Sequence, residues 1–230
     1  MVRSIEQLVE EQARRWRLEQ REYKERKREK KPIAKIITLS NAYGSHGIPI
    51  AHKIGELTGF TVYDREIVEH IATNARVRVD LVDTLDERAQ GAIDDYITGL
   101  FRERSFYQDD YARELSKTIV SLWHHGPCVI LGHGCCHVVP RSHSLAVRLT
   151  GPQAARALRV QSLESLATIE QAKRRVERVD AEREAFIRKF FGVHIDDPLA
   201  YDLIINTARY DTQTCAETVV EAYKQRFREA

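Results

Sequence analysis

The chain has 230 residues, 43% of them hydrophobic, which is enough for one domain with a sizeable core and an appendage. Its 36 basic and 34 acidic residues leave a net charge of +2, so the overall charge indicates no particular class of partner. No apolar run approaches the ~20 residues that a membrane-spanning helix needs. The N-terminus also lacks the apolar stretch of a signal peptide, so we expect a cytosolic protein without membrane attachment.

Cysteine and histidine residues crowd into the segment 124–143. Both side-chain types bind zinc, but their spacing here matches no zinc motif. The adjacent Cys135 and Cys136 do not resemble a disulfide framework either, and Cys128 falls in an apolar run where it is expected to fill core space. We therefore expect no structural metal, and a reducing compartment.

The first 32 residues differ from the rest of the chain. Their apolar residues recur at helical spacing, and these are Ile5, Leu8, Val9, Ala13 and Trp16. The stretch that follows is almost wholly charged as far as Pro32, so it has no apolar face to pack against a core. The pattern predicts a charged, appended helix over 1–32, ahead of a domain over 33–230.

This helix is also a candidate contact surface. We expect residues 4–16 to pack onto the domain or onto a second subunit, because apolar side chains gain by burial. Residues 19–31 are expected to stay solvated. Their glutamates alternate with the basic residues and would repel phosphates, so we do not expect a nucleic-acid partner. A loose solubilising tail is the alternative.

The remainder alternates apolar runs with helical periodicity. Five short apolar runs predict strands at 35–40, 60–63, 127–131, 145–149 and 202–206. Helical spacing predicts helices at 48–58, 64–75, 79–88, 109–125, 152–162, 164–190 and 212–228. The last three strands are almost continuously apolar, as expected when helices cover both faces. The sequence therefore predicts a three-layer α/β fold with a five-stranded, mainly parallel sheet.

The loop after the first predicted strand reads Ser-Asn-Ala-Tyr-Gly-Ser-His-Gly over 40–47 and leads into a helix. Gly44 and Gly47 would allow the close backbone approach of a phosphate site, and a helix N-terminus favours anions. The full phosphate-loop motif is absent, because Ile48 and Pro49 stand where a lysine and a hydroxyl would follow. An ordinary strand-to-helix turn is the alternative.

Three segments resemble the cytidylate-kinase-like family, in order and at similar spacing over about 35–225. They are ITLSNAYGSHGIPIAHKIGELTGFTVYDREIV, VILGHGCC and VDAEREAFIRKFFGVHIDDPLAYDLIINTARY. The resemblance implies a P-loop fold and ATP-dependent phosphoryl transfer, with Mg²⁺, to a cytidylate-type nucleotide or related small acceptor. The chain departs from the family where His46 replaces a loop glycine and His133 replaces the arginine of Gly-Arg-Gly.

The resemblance also implies three groups of site residues. Those for the donor phosphates are Ser40, Tyr43, Gly44, Ser45, His46 and Gly47. Those for the acceptor are Asp64, Arg65, Gly132 and His133. Those for catalysis are Arg156, Arg159, Asp180 and Arg183, with a lid-like region at about 164–192. On the residues alone, the alternative for each arginine is a solvated helix face, and the alternative for Asp64 is a helix N-cap.

Two functions stay open. The first is a nucleoside monophosphate kinase-like enzyme, favoured by the arginine-rich distal block, with a phosphate-bearing small molecule as partner. The second is a catalytically impaired nucleotide- or anion-binding regulatory module, favoured by the missing lysine, Pro49 and His133. In either case the N-terminal helix could mediate a homo-oligomer or bind another protein.

Overall fold

The computed structural model describes residues 4–25, 33–102 and 109–228. Its centre is a five-stranded sheet of β1 (Ile36–Asn41), β2 (Thr61–Tyr63), β3 (Cys128–Leu131), β4 (Ser144–Thr150) and β5 (Leu203–Asn206). The strand order is β2-β3-β1-β4-β5, and every pairing is parallel. The predicted α/β fold and all five predicted strands are therefore confirmed.

Helices surround the sheet. They are α1 (Ile5–Glu25), α2 (Gly47–Thr58), α3 (Arg65–Thr73), α4 (Ala75–Asp83), α5 (Glu87–Arg102), α6 (Asp110–His125), α7 (Cys135–Val138), α8 (Gln153–Leu163), α9 (Ile169–Phe191) and α10 (Thr212–Arg226). None of those in the described ranges is both long enough and apolar enough to cross a membrane.

Side chains on β1 alternate between two hydrophobic clusters, and this alternation makes the three layers. Ile37 and Leu39 pack with the buried residues of α2 and α10. Ile36 belongs to the other cluster, which is built by α1, α3, α5 and α6. The carboxyl end of β1 therefore lies between two helical layers, where ligands bind in open parallel sheets.

Helix α1 docks on the second of these layers. Val9, Ala13 and Trp16 are buried, and the Trp16 indole donates to the Tyr63 hydroxyl at 3.4 Å. Arg17 pairs with Asp80 of α4 at 3.0 Å. Packing of residues 4–16 onto the domain is therefore confirmed, whereas most of the segment 19–31 lies outside the residues whose side chains are described.

Several helix predictions are wrong: the helices predicted at 64–75 and 79–88 divide differently into α3 and α4, and most of α5 was not predicted. The helix predicted at 79–88 is interrupted: α4 ends at Asp83, and the Thr84 hydroxyl donates to the carbonyl of Asp80 in its last turn. The Asp86 carboxylate then accepts from the Ala89 amide and starts α5. The predicted helix 164–190 begins only at Ile169, after a Thr168–Gln171 capping box. A turn therefore separates α8 from α9, and the two helices pack as a hairpin.

Candidate functional site

The loop of residues 42–46 joins β1 to α2 at the carboxyl end of the central strand. The hydroxyl of Ser45 is buried and donates inward to the carbonyls of Ala42, at 2.7 Å, and Leu149, at 3.2 Å. Ser45 therefore ties the loop to β4. Its side chain is turned away from any ligand above the loop.

Both loop glycines are required by packing. Gly44 has a φ of +80°, and a Cβ there would lie 2.6 Å from the carbonyl oxygen of Arg156. A Cβ on Gly47 would lie 2.7 Å from the side-chain amide of Asn41. The loop thus sits directly against α8 on one side and against the end of β1 on the other.

The loop keeps unpaired backbone donors. Among the described residues, nothing accepts a hydrogen bond from the amides of Gly44, His46 or Gly47. His46 has a φ of 58°, a left-handed conformation that glycine adopts readily. The resemblance places a glycine of the family at this position. These amides precede or open α2, whose dipole favours a negative charge at this position.

Tyr43 of this loop is held by α9 and by the turn before it. Its amide donates to the Asp180 carboxylate at 2.8 Å, and its hydroxyl donates to Glu164. Its ring lies 5.5 Å from the Arg175 guanidinium and 5.3 Å from that of Arg183. Burial, together with the Glu164 carboxylate, raises the pKa of Tyr43. The α8–α9 hairpin is therefore closed over the loop.

Arg156 and Arg159 hold the backbone of the loop. Arg156 is almost fully buried, donates to the Tyr43 carbonyl at 2.9 Å and pairs with Asp180. Arg159 donates to the Gly44 carbonyl at 3.4 Å and to the Thr207 hydroxyl at 3.1 Å. The structure thus brings the predicted catalytic residues Arg156, Arg159 and Asp180 together with the loop.

On the acceptor side, His133 is buried and packs against the start of α3. Its Nε2 atom lies 2.9 Å from the Arg65 carbonyl and 3.5 Å from the Glu69 carboxylate. Burial lowers the pKa of His133 to about 4, so the imidazole is neutral at physiological pH and donates to that carbonyl. Gly132 lies beside this contact, since a Cβ there would be 3.7 Å from the Arg65 side chain.

Asp64 is the N-cap of α3, because its carboxylate accepts from the Ile67 amide at 3.0 Å. This confirms the structural alternative for Asp64, and its acceptor role stays a prediction. The next residue, Arg65, is exposed, and among the described residues its guanidinium has neither a hydrogen bond nor an ion pair.

Arg183 lies at the same end of the sheet. Its guanidinium donates to the Asn41 carbonyl at 2.6 Å and pairs with no carboxylate in the described part of the chain. Burial, and then the positive charge of Arg65, lower the pKa of Arg183 to about 10. Arg65 and Arg183 are therefore two neighbouring cations that form no direct ion pair within the described residues, although Asp180 attracts Arg183 from a longer distance.

The sequence interpretation missed Arg148. Its side chain is buried in β4 and donates to the Ser40 hydroxyl at 2.9 Å and to the Asp196 carboxylate at 2.8 Å. Ser40 and Arg148 are register partners in neighbouring strands, so they lie on one face of the sheet. The sequence did contain a sign of it, because Arg148 is a single arginine within an otherwise apolar segment predicted to form a strand.

The crowded cysteine and histidine segment does not form a metal centre in the described residues. No group of three His, Cys, Asp or Glu side chains there is arranged to hold a metal ion. All four cysteines are free and buried. The thiol of Cys135 donates to the Ile130 carbonyl, which places it in the core rather than in a site.

The strand order and the glycine loop beneath an arginine-bearing hairpin define a P-loop kinase-like fold. The chain belongs to the cytidylate kinase-like family, which it matches over residues 36–209. No curated protein matches it in sequence. An uncharacterized protein from Eubacterium ventriosum ATCC 27560 is 17% identical, with a TM-score of 0.65 over 83% of this chain and 98% of that chain.

Two other solved structures overlap less well. Shikimate kinase from Acinetobacter baumannii in complex with shikimate is 13% identical, with a TM-score of 0.47 over 85% of this chain and 96% of that chain. YorR from Bacillus subtilis, in complex with phosphorylated GDP, is 8% identical, with a TM-score of 0.42 over 85% and 99%. The fold assignment rests on the family match and on the Eubacterium structure.

Proposed function

We propose that the chain transfers a phosphoryl group from ATP to a nucleoside monophosphate of the cytidylate type, or to a related small acceptor. The observation that carries this proposal is that three loop amides without acceptors lie near two cations, Arg65 and Arg183, that form no ion pair within the described residues. Phosphoryl transfer depends mainly on positioning and charge neutralisation, which these groups can supply.

The amides of Gly44, His46 and Gly47 would hold the donor phosphates. Mg²⁺ would be held mainly by those phosphates and by water, as this ion commonly is, because the Ser45 hydroxyl is turned inward. Without a lysine after Gly47, the loop neutralises less charge than a complete phosphate loop. We therefore propose slow transfer, with Arg183 supplying the missing cation.

The acceptor phosphate would bind Arg65. A neutral His133 cannot replace a guanidinium that grips phosphate, and its hydrogen bond to the Arg65 carbonyl instead positions the start of α3. Arg156 and Arg159 would hold the loop in shape, since they donate to the carbonyls of Tyr43 and Gly44. The cytosolic location stays a prediction.

One observation favours the second function, a binding module without transfer. The Asp180 carboxylate already occupies the Tyr43 amide, so a nucleotide must displace it or bind beside it. A module of this kind would bind nucleotide but turn nothing over. Both functions therefore require nucleotide binding, and only the first requires transfer of a phosphoryl group.

A thermal-shift screen of ATP, GTP and nucleoside monophosphates with Mg²⁺ tests the shared part of the proposal. A ligand at 100 times its Kd should stabilise the fold by ~2.7 kcal/mol. Gly47→Val should abolish the shift caused by ATP, because its side chain would enter the space of Asn41. Arg183→Gln should weaken it, while Arg178→Gln, on an exposed part of the same helix, should not.

If no nucleotide shifts the melting temperature of the wild-type protein, both the kinase function and a nucleotide-binding module are wrong. If ATP still binds to Gly47→Val with unchanged affinity, the donor site lies elsewhere. If a nucleotide raises the melting temperature but no phosphoryl group is transferred, the function is that of the binding module.

A further inference from the structure

A cleft of about 350 Å³ lies beneath α9, beside the loop and over the end of β4. Three arginines line it, Arg148, Arg156 and Arg188, and Ala42 connects it to the loop. Each of these arginines is paired with one acid of the same cleft, so no positive charge is left uncompensated there. A ligand anion could bind one of these arginines only where the acidic partner can separate from it.

Two of the pairs are parts of the framework. Asp180 bridges Arg156 and the Tyr43 amide, so it joins the hairpin to the loop. Glu184 accepts from the Ile195 amide and pairs with Arg188 within α9. The side chains of Asp180 and Glu184 are only 30% and 27% exposed. Replacing either acid by a ligand would break contacts that hold the backbone.

The pair between Arg148 and Asp196 is different. The Arg148 side chain is 5% exposed, whereas the Asp196 side chain is 76% exposed. A single oxygen of Asp196 accepts from both Nε and Nη2 of the guanidinium. Among the described residues Asp196 makes no other hydrogen bond, so its carboxylate can leave without breaking backbone contacts.

A buried guanidinium with one exposed acidic partner is a poor arrangement for stability alone. Burial of the cation carries a desolvation penalty, and a solvated carboxylate offsets only part of it. An anion that fits the cleft could accept two parallel hydrogen bonds from Arg148, which is a stronger geometry. The charge of Arg148 also acts on Arg183, so the same anion would be attracted by both cations.

We propose that this cleft is an anion-binding subsite in which Arg148 binds a phosphate or carboxylate group of a small molecule. Asp196 occupies the position of that group when the ligand is absent. Ser40 orients the guanidinium through its hydroxyl, and Tyr201 lies within hydrogen-bond distance of that hydroxyl at 3.3 Å. The subsite goes beyond the proposed donor and acceptor sites, and it does not depend on phosphoryl transfer.

Two substitutions break the same ion pair but have opposite expected effects on anion binding. Asp196→Asn removes the competing carboxylate, so inorganic phosphate should bind several-fold more tightly. Arg148→Met removes the cation, so phosphate binding at the cleft should be lost. A purely structural ion pair would predict no gain from Asp196→Asn.

The experiment is a calorimetric titration of the full chain with inorganic phosphate, and separately with acetate, in the absence of nucleotide. The two titrations distinguish a phosphate ligand from a carboxylate ligand. Glu182→Gln is the matched control, because it breaks an ion pair with Arg178 on α9 in which both side chains are exposed. It should leave anion affinity unchanged.

Arg148→Lys covers the case in which Arg148→Met does not fold. It keeps the charge but loses the paired donors, so phosphate should bind more weakly than to the wild-type protein. The subsite is wrong if Asp196→Asn fails to tighten binding of both anions, or if Arg148→Lys binds them as well as the wild-type protein. Gly47→Val, which blocks the loop, should leave the Asp196→Asn effect intact, so failure of the proposed function is distinguishable.

Discussion

The Asp180 carboxylate accepts a hydrogen bond from the backbone amide of Tyr43 at 2.8 Å. The same carboxylate pairs with Arg156, which also donates to the Tyr43 carbonyl. An acidic side chain of α9 thus occupies one amide of the loop that the proposed function assigns to phosphates. While the α8–α9 hairpin is closed in this way, the Tyr43 amide is therefore not available to a phosphate.

Asp180→Ala should therefore act on binding and stability in opposite directions. Removing the carboxylate frees the Tyr43 amide, so ATP should bind more tightly. The Arg156 side chain, only 11% exposed, loses its acidic partner, so the free energy of unfolding should fall by about 1–3 kcal/mol. An ATP titration and a denaturant melt measure the two effects.

Glu177→Ala is the control for Asp180→Ala, since Glu177 lies on the same helix and its carboxylate accepts from Gln153 at an exposed position. It should change neither quantity. Weaker ATP binding by Asp180→Ala would show that the carboxylate supports the nucleotide site rather than competing with the nucleotide.

The tight packing of Gly44 can be separated from its backbone conformation. Gly44 and Gly59 both have positive φ angles, +80° and +74°, but a Cβ at Gly59 would meet nothing within 4 Å. Gly59→Ala should cost about 1 kcal/mol of unfolding free energy, because only the left-handed conformation is strained. Gly44→Ala adds a clash with the Arg156 carbonyl and should cost clearly more. Equal losses in denaturant melts would contradict the packing of the loop against α8.

The buried His133 predicts a pH dependence of stability. Its folded pKa of about 4 lies below the ordinary value of 6.5, so the unfolded chain binds the additional proton between those values. The contribution of neutral His133 to the free energy of unfolding is fully present above pH 6.5 and is lost as the pH falls toward 4. The shift corresponds to a loss of at most about 3 kcal/mol.

The pH effect is best measured as a difference, because burial also lowers the pKa of His46, His124 and His143. His133→Asn should unfold with a shallower loss of stability than the wild-type protein between pH 6.5 and pH 4. Parallel curves for the two proteins would mean that His133 is not buried in its neutral form.

The docking of α1 can be tested with two residues of that helix. Trp16 is 2% exposed and contacts Tyr63, whereas Leu18 is 59% exposed. Trp16→Ala should lower the free energy of unfolding by about 3–5 kcal/mol. Leu18→Ala should change it by no more than about 0.5 kcal/mol. Similar melting temperatures for both variants would contradict the docked helix.

The alternation of apolar runs with helical periodicity was sufficient to predict the sheet, because strands covered on both faces leave a strong apolar signal. The break between α4 and α5 was not predictable in this way. It depends on the Asp86 carboxylate, which accepts from the Ala89 amide and starts α5, and hydrophobic periodicity does not report such a bond.

The site was predicted less completely than the fold. Glycine spacing indicated the loop and the family resemblance indicated Arg183, and the roles of both stay predictions. The contact of Asp180 with Tyr43, in contrast, joins residues 137 positions apart. Such a contact depends on how the hairpin packs over the sheet. Arg148 was missed because a strand is predicted from its apolar residues, whereas the role that we propose for Arg148 rests on its burial beside an open cleft.

The most direct test is the rate of phosphoryl transfer from ATP to CMP by the purified full chain with Mg²⁺. The proposal predicts transfer that is measurable but well below the ordinary kinase range of about 1–100 per second. Arg183→Gln should abolish this transfer and Arg178→Gln should retain it. The account holds that Arg183 partly replaces the lysine missing from the loop. A turnover within the ordinary range, or transfer that survives Arg183→Gln, would contradict it.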